Sequence, residues 1–240
     1  TLRALLRSSH SRAQARAQAG VLFFAYRFGL RGREALQLHR IDLVEADPTY
    51  IVVRPRFGKT LKRTTSRRAV PLLWKLTAME TKLLEDLRVY AKGIYGDNEN
   101  TPLICAETGE PTRSQKAQIL QSVGRLLKRV SGNPDTTLHD ARHAAANRVA
   151  ACLLGIRHPG FERLLGERLD ENVRDRVRRV LTGHSSSTRR AVWALRRYMG
   201  HSGNSTSTFT NYVHILGEWA DSLTTSASEA ADLGGITSIR

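Results

Sequence analysis

Two stretches of this sequence place nucleophilic and cationic groups at spacings that suit phosphate chemistry. Residues 199–214 read MGHSGNSTSTFTNYVH: His201 follows Gly200, Ser and Thr then dominate, and Tyr212 precedes His214 by two places. Such hydroxyl residues favour caps and turns over helix interiors. His201 is therefore expected at the end of one helix, and Tyr212 on a short helix that follows. A phenol beside imidazoles in a strongly basic chain suggests a nucleophile aimed at a phosphate, although one Tyr taken alone is more often packing. The second stretch, PDTTLHDARHAAANRVAACLL, spaces Thr137 and Asp140 as a capping box. That starts a helix and puts His139 and Arg142 on one face of its first turn. Helix amides and the positive end of the dipole suit an anion there; a helix start with incidental polar residues is the plain alternative.

The charge balance favours the phosphate reading. In 240 residues, 38 Lys and Arg face 22 Asp and Glu, a net charge of +16, while 40% apolar content is ordinary for a globular chain. The length suits one large or two small domains. The expected partner is a polyanion, most simply nucleic acid. A membrane surface is the competing polyanion, but no apolar run is long enough to span one and no signal peptide opens the chain. Cys105 and Cys152 form no CxxC pair, so neither a disulfide framework nor a zinc knuckle is indicated, and a reducing, cytoplasmic setting fits.

Several elements must position these groups. Residues 11–28 read as a helix ended by Gly29, with a short helix around Glu34 to follow and Arg31 at the junction. Residues 50–53 and 69–72 read as strands of a β-hairpin or small sheet, joined by the basic loop RPRFGKTLKRTTSRR. Arg56, Lys62, Arg63, Arg67 and Arg68 in and around that loop are phosphate contacts or simply solvated charges. One lysine there, Lys59 or Lys62, could donate a proton if partly desolvated. Further helices are expected over residues 76–90, 114–130 (capped by Ser114, stopped by Gly132 and Pro134), 161–181 (ending at Gly183) and 189–198, with a brief extended segment over 101–106. After Trp219 the chain becomes rich in Ser, Thr, Ala and Gly, a flexible or partner-docking tail. The whole is α+β, mainly α-helical with a small antiparallel β-sheet, with one domain over residues 1–221 and a tail over 222–240.

In order, the chain offers Gly29-Leu30-Arg31 with Glu34, Lys59 in GKT, His139-Asp140-Ala141-Arg142-His143, Gly200-His201-Ser202, and Tyr212. Each motif alone is weak, but five in this order resemble the catalytic domain of the tyrosine recombinases (phage-type integrases), over roughly residues 10–216. The resemblance implies the DNA breaking-rejoining fold and a site-specific recombinase working through a 3′-phosphotyrosyl intermediate, with no metal and no cofactor. It implies Tyr212 as nucleophile, Lys59 as acid on the departing 5′-oxygen, His139 as acid/base and His201 as a phosphate ligand. Double-stranded DNA is the implied partner, with self-association into a tetrameric synapse and no membrane. The chemistry is coherent, because attack on a phosphodiester builds charge on the non-bridging oxygens, which Arg31 and Arg142 can clamp bidentately.

The chain departs from the family pattern in three ways. Too few residues precede Arg31 for the family's N-terminal core-binding domain, which is expected to be absent. The spacing from His201 to Tyr212 is longer than usual, and so is the segment between Arg142 and His201. That segment also holds TGHSSST, whose His184 has no tyrosine at suitable spacing. Two other readings compete. His139 and His143 stand four apart like zinc ligands on a helix, but the intervening acid is Asp, an Arg shares the face and no third ligand is obvious. A DNA-binding module that has lost catalysis is the other.

Overall fold

Ser11 starts the first helix, α1 (Arg12–Phe28), by accepting a hydrogen bond from the Gln14 amide, and Gly29 ends it in the left-handed conformation. Its Ala and Gly residues are buried together with Val21, Leu22, Phe23, Phe24 and Phe28, so α1 is covered nearly all round. It is thus the central helix of the fold. The rings of Phe23, Phe24 and Phe28 meet at centroid distances of 5.1–5.9 Å. Burial of each is worth about 1.5–3 kcal/mol, which makes this end of α1, next to Arg31, a rigid base.

The structure, a computed structural model, describes residues 11–56, 67–156, 169–186 and 189–201. Within them α1 is followed by α2 (Gly32–Ala35), a 3-10 turn (Arg40–Asp42), β1 (Leu43–Val44), β2 (Tyr50–Val53) and β3 (Arg68–Pro71). Then come α3 (Ala78–Tyr95), α4 (Arg113–Ser131), α5 (Leu138–Leu154), α6 (Glu171–Thr182) and α7 (Ala191–Met199). The strands form one antiparallel sheet in the order β1-β2-β3, with Ile51 opposite Val70 and Val53 opposite Arg68. Helices α3, α4 and α5 pack on α1, while α6 and α7 pack on α5. The mainly helical architecture with a small antiparallel sheet is the one the sequence predicts. The basic loop, with Lys59, Lys62 and Arg63, lies outside the described residues, as do Tyr212 and the tail.

Expected boundaries move where a better cap competes. The helix expected over residues 76–90 is Ala78–Tyr95, started by the capping box of Thr77 and Glu80 and ended at Gly96. Helix α4 starts from Thr112 rather than Ser114: Thr112 accepts from the Gln115 amide, and the Gln115 carboxamide accepts from the Thr112 amide. No continuous helix runs over residues 161–181, because Leu169 and Asp170 are not helical and Asp170 caps a new helix, α6, by accepting from the Val173 amide. The expected end at Gly183 holds. Helix α6 is braced against the C-terminal end of α5. Arg174 donates to the carbonyls of Ala151 and Leu169, and Arg178 to those of Cys152 and Ser185. Guanidiniums at a helix C-terminus satisfy its orphan carbonyls and complement its dipole.

Candidate active site

Gly29 turns the chain out of α1 at φ 61°, and Arg31 follows in extended conformation as the N-cap of α2. Glu34, three residues on, closes that turn: Oε2 accepts from the Arg31 amide at 2.8 Å and Oε1 from its guanidinium at 2.6 Å. The same carboxylate accepts from Nη1 and Nη2 of Arg68 at 3.2 and 3.0 Å, and Nη1 of Arg142 lies 3.8 Å from Oε2. One anion is thus shared among three guanidiniums. Burial by itself pushes the Glu34 carboxyl up, but the charge and hydrogen bonds of Arg68, then those of Arg31, outweigh it and bring it down to about 2. Glu34 is therefore ionised, and the cluster keeps a surplus of positive charge.

Arg142 is 0% exposed, on the first full turn of α5. The capping box between Thr137 and Asp140 sets the start of that helix as expected. From there the Arg142 guanidinium donates to the carbonyl oxygens of Gly29 and Met199, tying the end of α1 to the end of α7. Its Nη2 is also 3.3 Å from Nε2 of His201. Arginine only donates, so in this contact Nε2 of His201 is the accepting nitrogen.

His201 reaches this position because α7 ends at Gly200 with φ 66°, in the helix-end turn that the sequence predicts. A Cβ at Gly200 would lie 2.5 Å from Nη1 of Arg68, so both the conformation and the space require glycine. Burial, then the charges of Arg142, Arg31 and Arg68 with a smaller effect of His139, bring the His201 imidazole down to about 4. His139 lies on the exposed first turn of α5, its ring edge-on to that of His143 at 4.7 Å. Among the described residues no group of three or more His, Cys, Asp or Glu side chains is placed to hold a metal ion, so no third ligand joins that pair.

These pKa directions set an expected acid response. An imidazole held near 4 in the fold and near 6.5 in the unfolded chain lets the unfolded state bind more protons between those values. Its stabilising contribution is complete above about pH 6.5 and is lost as pH falls towards 4. Glu34 adds a second loss, beginning below its ordinary 4.5 and running down to about 2. Thermal melts from pH 7 to 4 should show the first loss, and His201→Gln should flatten that interval. A variant melting curve with the parent's full slope would show that His201 is not held neutral.

Tyr198, a second candidate phenol beside His201, is 2% exposed, and its hydroxyl donates to the carbonyl of Arg27 at 3.3 Å. Burial pushes this phenol well above its ordinary range. It is a packing residue. Of the expected phosphate contacts, Arg67 is exposed, whereas Arg56 is turned against Asp42 and Asn100. Arg68 is the departure: its guanidinium faces Glu34 and the Tyr198 carbonyl, not the surface. Sequence reasoning counted Glu34 only as part of a motif and missed its place as the hub. Its position three residues after Arg31, the spacing of a capping box, was the available signal. For Arg68 the signal was strand alternation, which puts it in phase with buried Val70.

The Phage integrase family model matches residues 1–155, a span that takes in Arg31, Lys59, His139 and Arg142 and stops before His201 and Tyr212. No curated protein matches the chain. Among solved structures, the Tn1549 transposon integrase in complex with transposon right end DNA is similar at 18% identity and a TM-score of 0.51, over 95% of this chain and 62% of that one. The XerH site-specific recombinase in its pre-cleavage complex with difH substrate is 17% identical with a TM-score of 0.44, over 90% of this chain and 51% of that one. The chain therefore spans about half to three-fifths of the length of these proteins, and the first likeness is one of fold. Among the described residues no helix is long and apolar enough to cross a membrane.

Proposed function

The chain belongs to the phage integrase family, and from that premise we propose that it is a site-specific DNA recombinase that cuts and rejoins strands through a covalent 3′-phosphotyrosyl link. The observation that carries this reading is the convergence of Arg31, Arg142 and His201 on one spot, two guanidiniums and an imidazole with a surplus of positive charge. Such a spot suits a phosphodiester whose non-bridging oxygens gain charge in the transition state. The Tyr212 oxygen attacks phosphorus and forms the new P–O bond, the bond to the 5′-oxygen breaks, and Lys59 gives that oxygen its proton. His139 takes the phenol's proton, and attack by a 5′-hydroxyl reverses the sequence in rejoining.

Double-stranded DNA is the proposed substrate, met on its backbone by the basic segment that holds Lys62, Arg63 and Arg67, with several copies of the chain assembling on it; Arg56 is committed to Asp42 and Asn100 instead. The fixed cations of the site are arginines and Lys59, so cleavage should proceed in EDTA. The deciding experiment is covalent trapping of the protein on a nicked suicide duplex from the cognate site. Adduct formation in EDTA supports the reading; salt-sensitive DNA binding without any adduct on a cleavable site would make the chain a binding module instead.

The two loop lysines separate in the same assay. Lys59 follows Gly58 in the GKT motif, whereas Lys62 stands among neighbouring charges that can replace it. Lys59→Ala is expected to slow cleavage by about 10²–10⁴-fold, the usual scale of general acid catalysis, and Lys62→Ala by far less. A 5′-thiol leaving group needs no proton and should rescue Lys59→Ala selectively. Equal losses in both variants without rescue would show that the acid lies elsewhere.

A further inference from the structure

Arg68 carries a positive charge, belongs to a run of cations and yet has a side chain only 2% exposed. It stands opposite Val53 at the end of the described β2–β3 pairing, one residue after the chain re-enters the described structure from the segment bearing Lys59. Its planar fork makes contacts in two directions. Nε donates to the Tyr198 carbonyl at 2.9 Å, near the end of α7, and Nη1 and Nη2 donate to the two oxygens of Glu34 on α2. Its guanidinium also occupies the space left by the missing side chain of Gly200.

We propose that Arg68 is a positioning residue of the recombinase site: by gripping Glu34 it fixes the aim of Arg31 and Arg142, and by seating the Tyr198–Gly200 turn it fixes His201. This rests on the recombinase reading above. The physical reason is a competition for Glu34. Arg31 has to turn donors towards a substrate phosphate, but Glu34 is itself a strong acceptor bonded to Arg31 at 2.6 Å. Two further donors from Arg68 hold the carboxylate in place and spread its charge, so it orients Arg31 without neutralising it. No lysine can do the same, because one ammonium cannot span Glu34 and the Tyr198 carbonyl in a planar fork.

The test uses Arg68→Lys in the full chain, with three readouts. Adduct formation at saturating DNA should fall by about ten- to a hundredfold, as expected when reacting groups are displaced by a fraction of an ångström to an ångström. DNA affinity should stay within about twofold, because the charge is kept and no phosphate contact is lost. The His201 imidazole, followed by NMR, should titrate higher than in the parent, because a displaced turn relieves the burial that chiefly lowers it. A parent-like adduct rate with weakened, less salt-sensitive binding would make Arg68 a DNA contact and overturn the proposal. Parent-like values in all three would overturn it as well.

A double variant, Arg68→Met with Glu34→Gln, removes the buried charges together and covers the case in which Arg68→Lys does not fold. Glu34 itself orients Arg31, so the reference is Glu34→Gln alone: if Arg68 only neutralises Glu34, the double variant cleaves as fast as Glu34→Gln and the proposal fails; if Arg68 positions, it is slower still. Should the parent itself form no adduct, the recombinase reading fails, and an unchanged His201 titration in Arg68→Lys would separately remove the positioning role.

Discussion

Tyr212→Phe is expected to bind DNA as the parent does and to form no covalent adduct, whereas Tyr198→Phe is trapped as readily as the parent. The contrast follows from what each hydroxyl can reach. The Tyr198 hydroxyl is committed to the Arg27 carbonyl at 3.3 Å, in a buried setting that resists ionisation. Its removal leaves one carbonyl without a partner, a loss of about 1–3 kcal/mol in stability with no effect on the chemistry. Tyr212 lies eleven residues beyond His201, after the Ser and Thr run, and its oxygen is the proposed nucleophile. Without that oxygen the P–O bond cannot form at all. Peptide mapping of the trapped parent should place the DNA on the peptide that contains Tyr212. DNA on the Tyr198 peptide would overturn the site.

Arg142→Lys is the second large effect. The substitution keeps a positive charge but loses the fork that joins the carbonyls of Gly29 and Met199 and reaches His201. Cleavage at saturating DNA should fall by about 10²–10³-fold, the scale seen when one preorganised donor to a developing oxyanion is removed. Stability should fall too, because a buried carbonyl left without its donor costs about 1–3 kcal/mol. The two losses can be told apart: a variant that still melts cooperatively at assay temperature is slow because of the site and not the fold. Single-turnover rates within about tenfold of the parent, in folded protein, would show that Arg142 is a structural tie only.

The sequence made the helix ends legible because the caps are local. Ser11, Thr137, Gly29 and Gly200 act within a turn of themselves, and the structure places each where its neighbours predict. Arg31, His139, Arg142 and His201 could be picked out for the same reason, since each sits at such an end. Arg68 could not be placed so easily. Its partners are 34 and 130 residues away, and only the two-residue strand period beside Val70 hinted that it points inward. The break before α6 was hidden by a different cause. The apolar spacing runs on through Leu169, and only the capping preference of Asp170 interrupts it. Periodicity identifies a face, but a cap decides where a helix begins.

The bracing of α6 against α5 has a consequence for how this chain can change over generations. Arg174 and Arg178 staple the start and middle of α6 to the carbonyl end of α5, while Arg142 occupies the opposite end of that helix. Those staples set the place of α6 on α5 through two side chains and the carbonyls of Ala151 and Cys152. Loss of either guanidinium strands a helix-end carbonyl, at about 1–3 kcal/mol, so Arg174 and Arg178 are the part of α6 least free to vary. Its exposed face can drift without reaching the arginine one helix length away, and that face is where such a chain can acquire new surface.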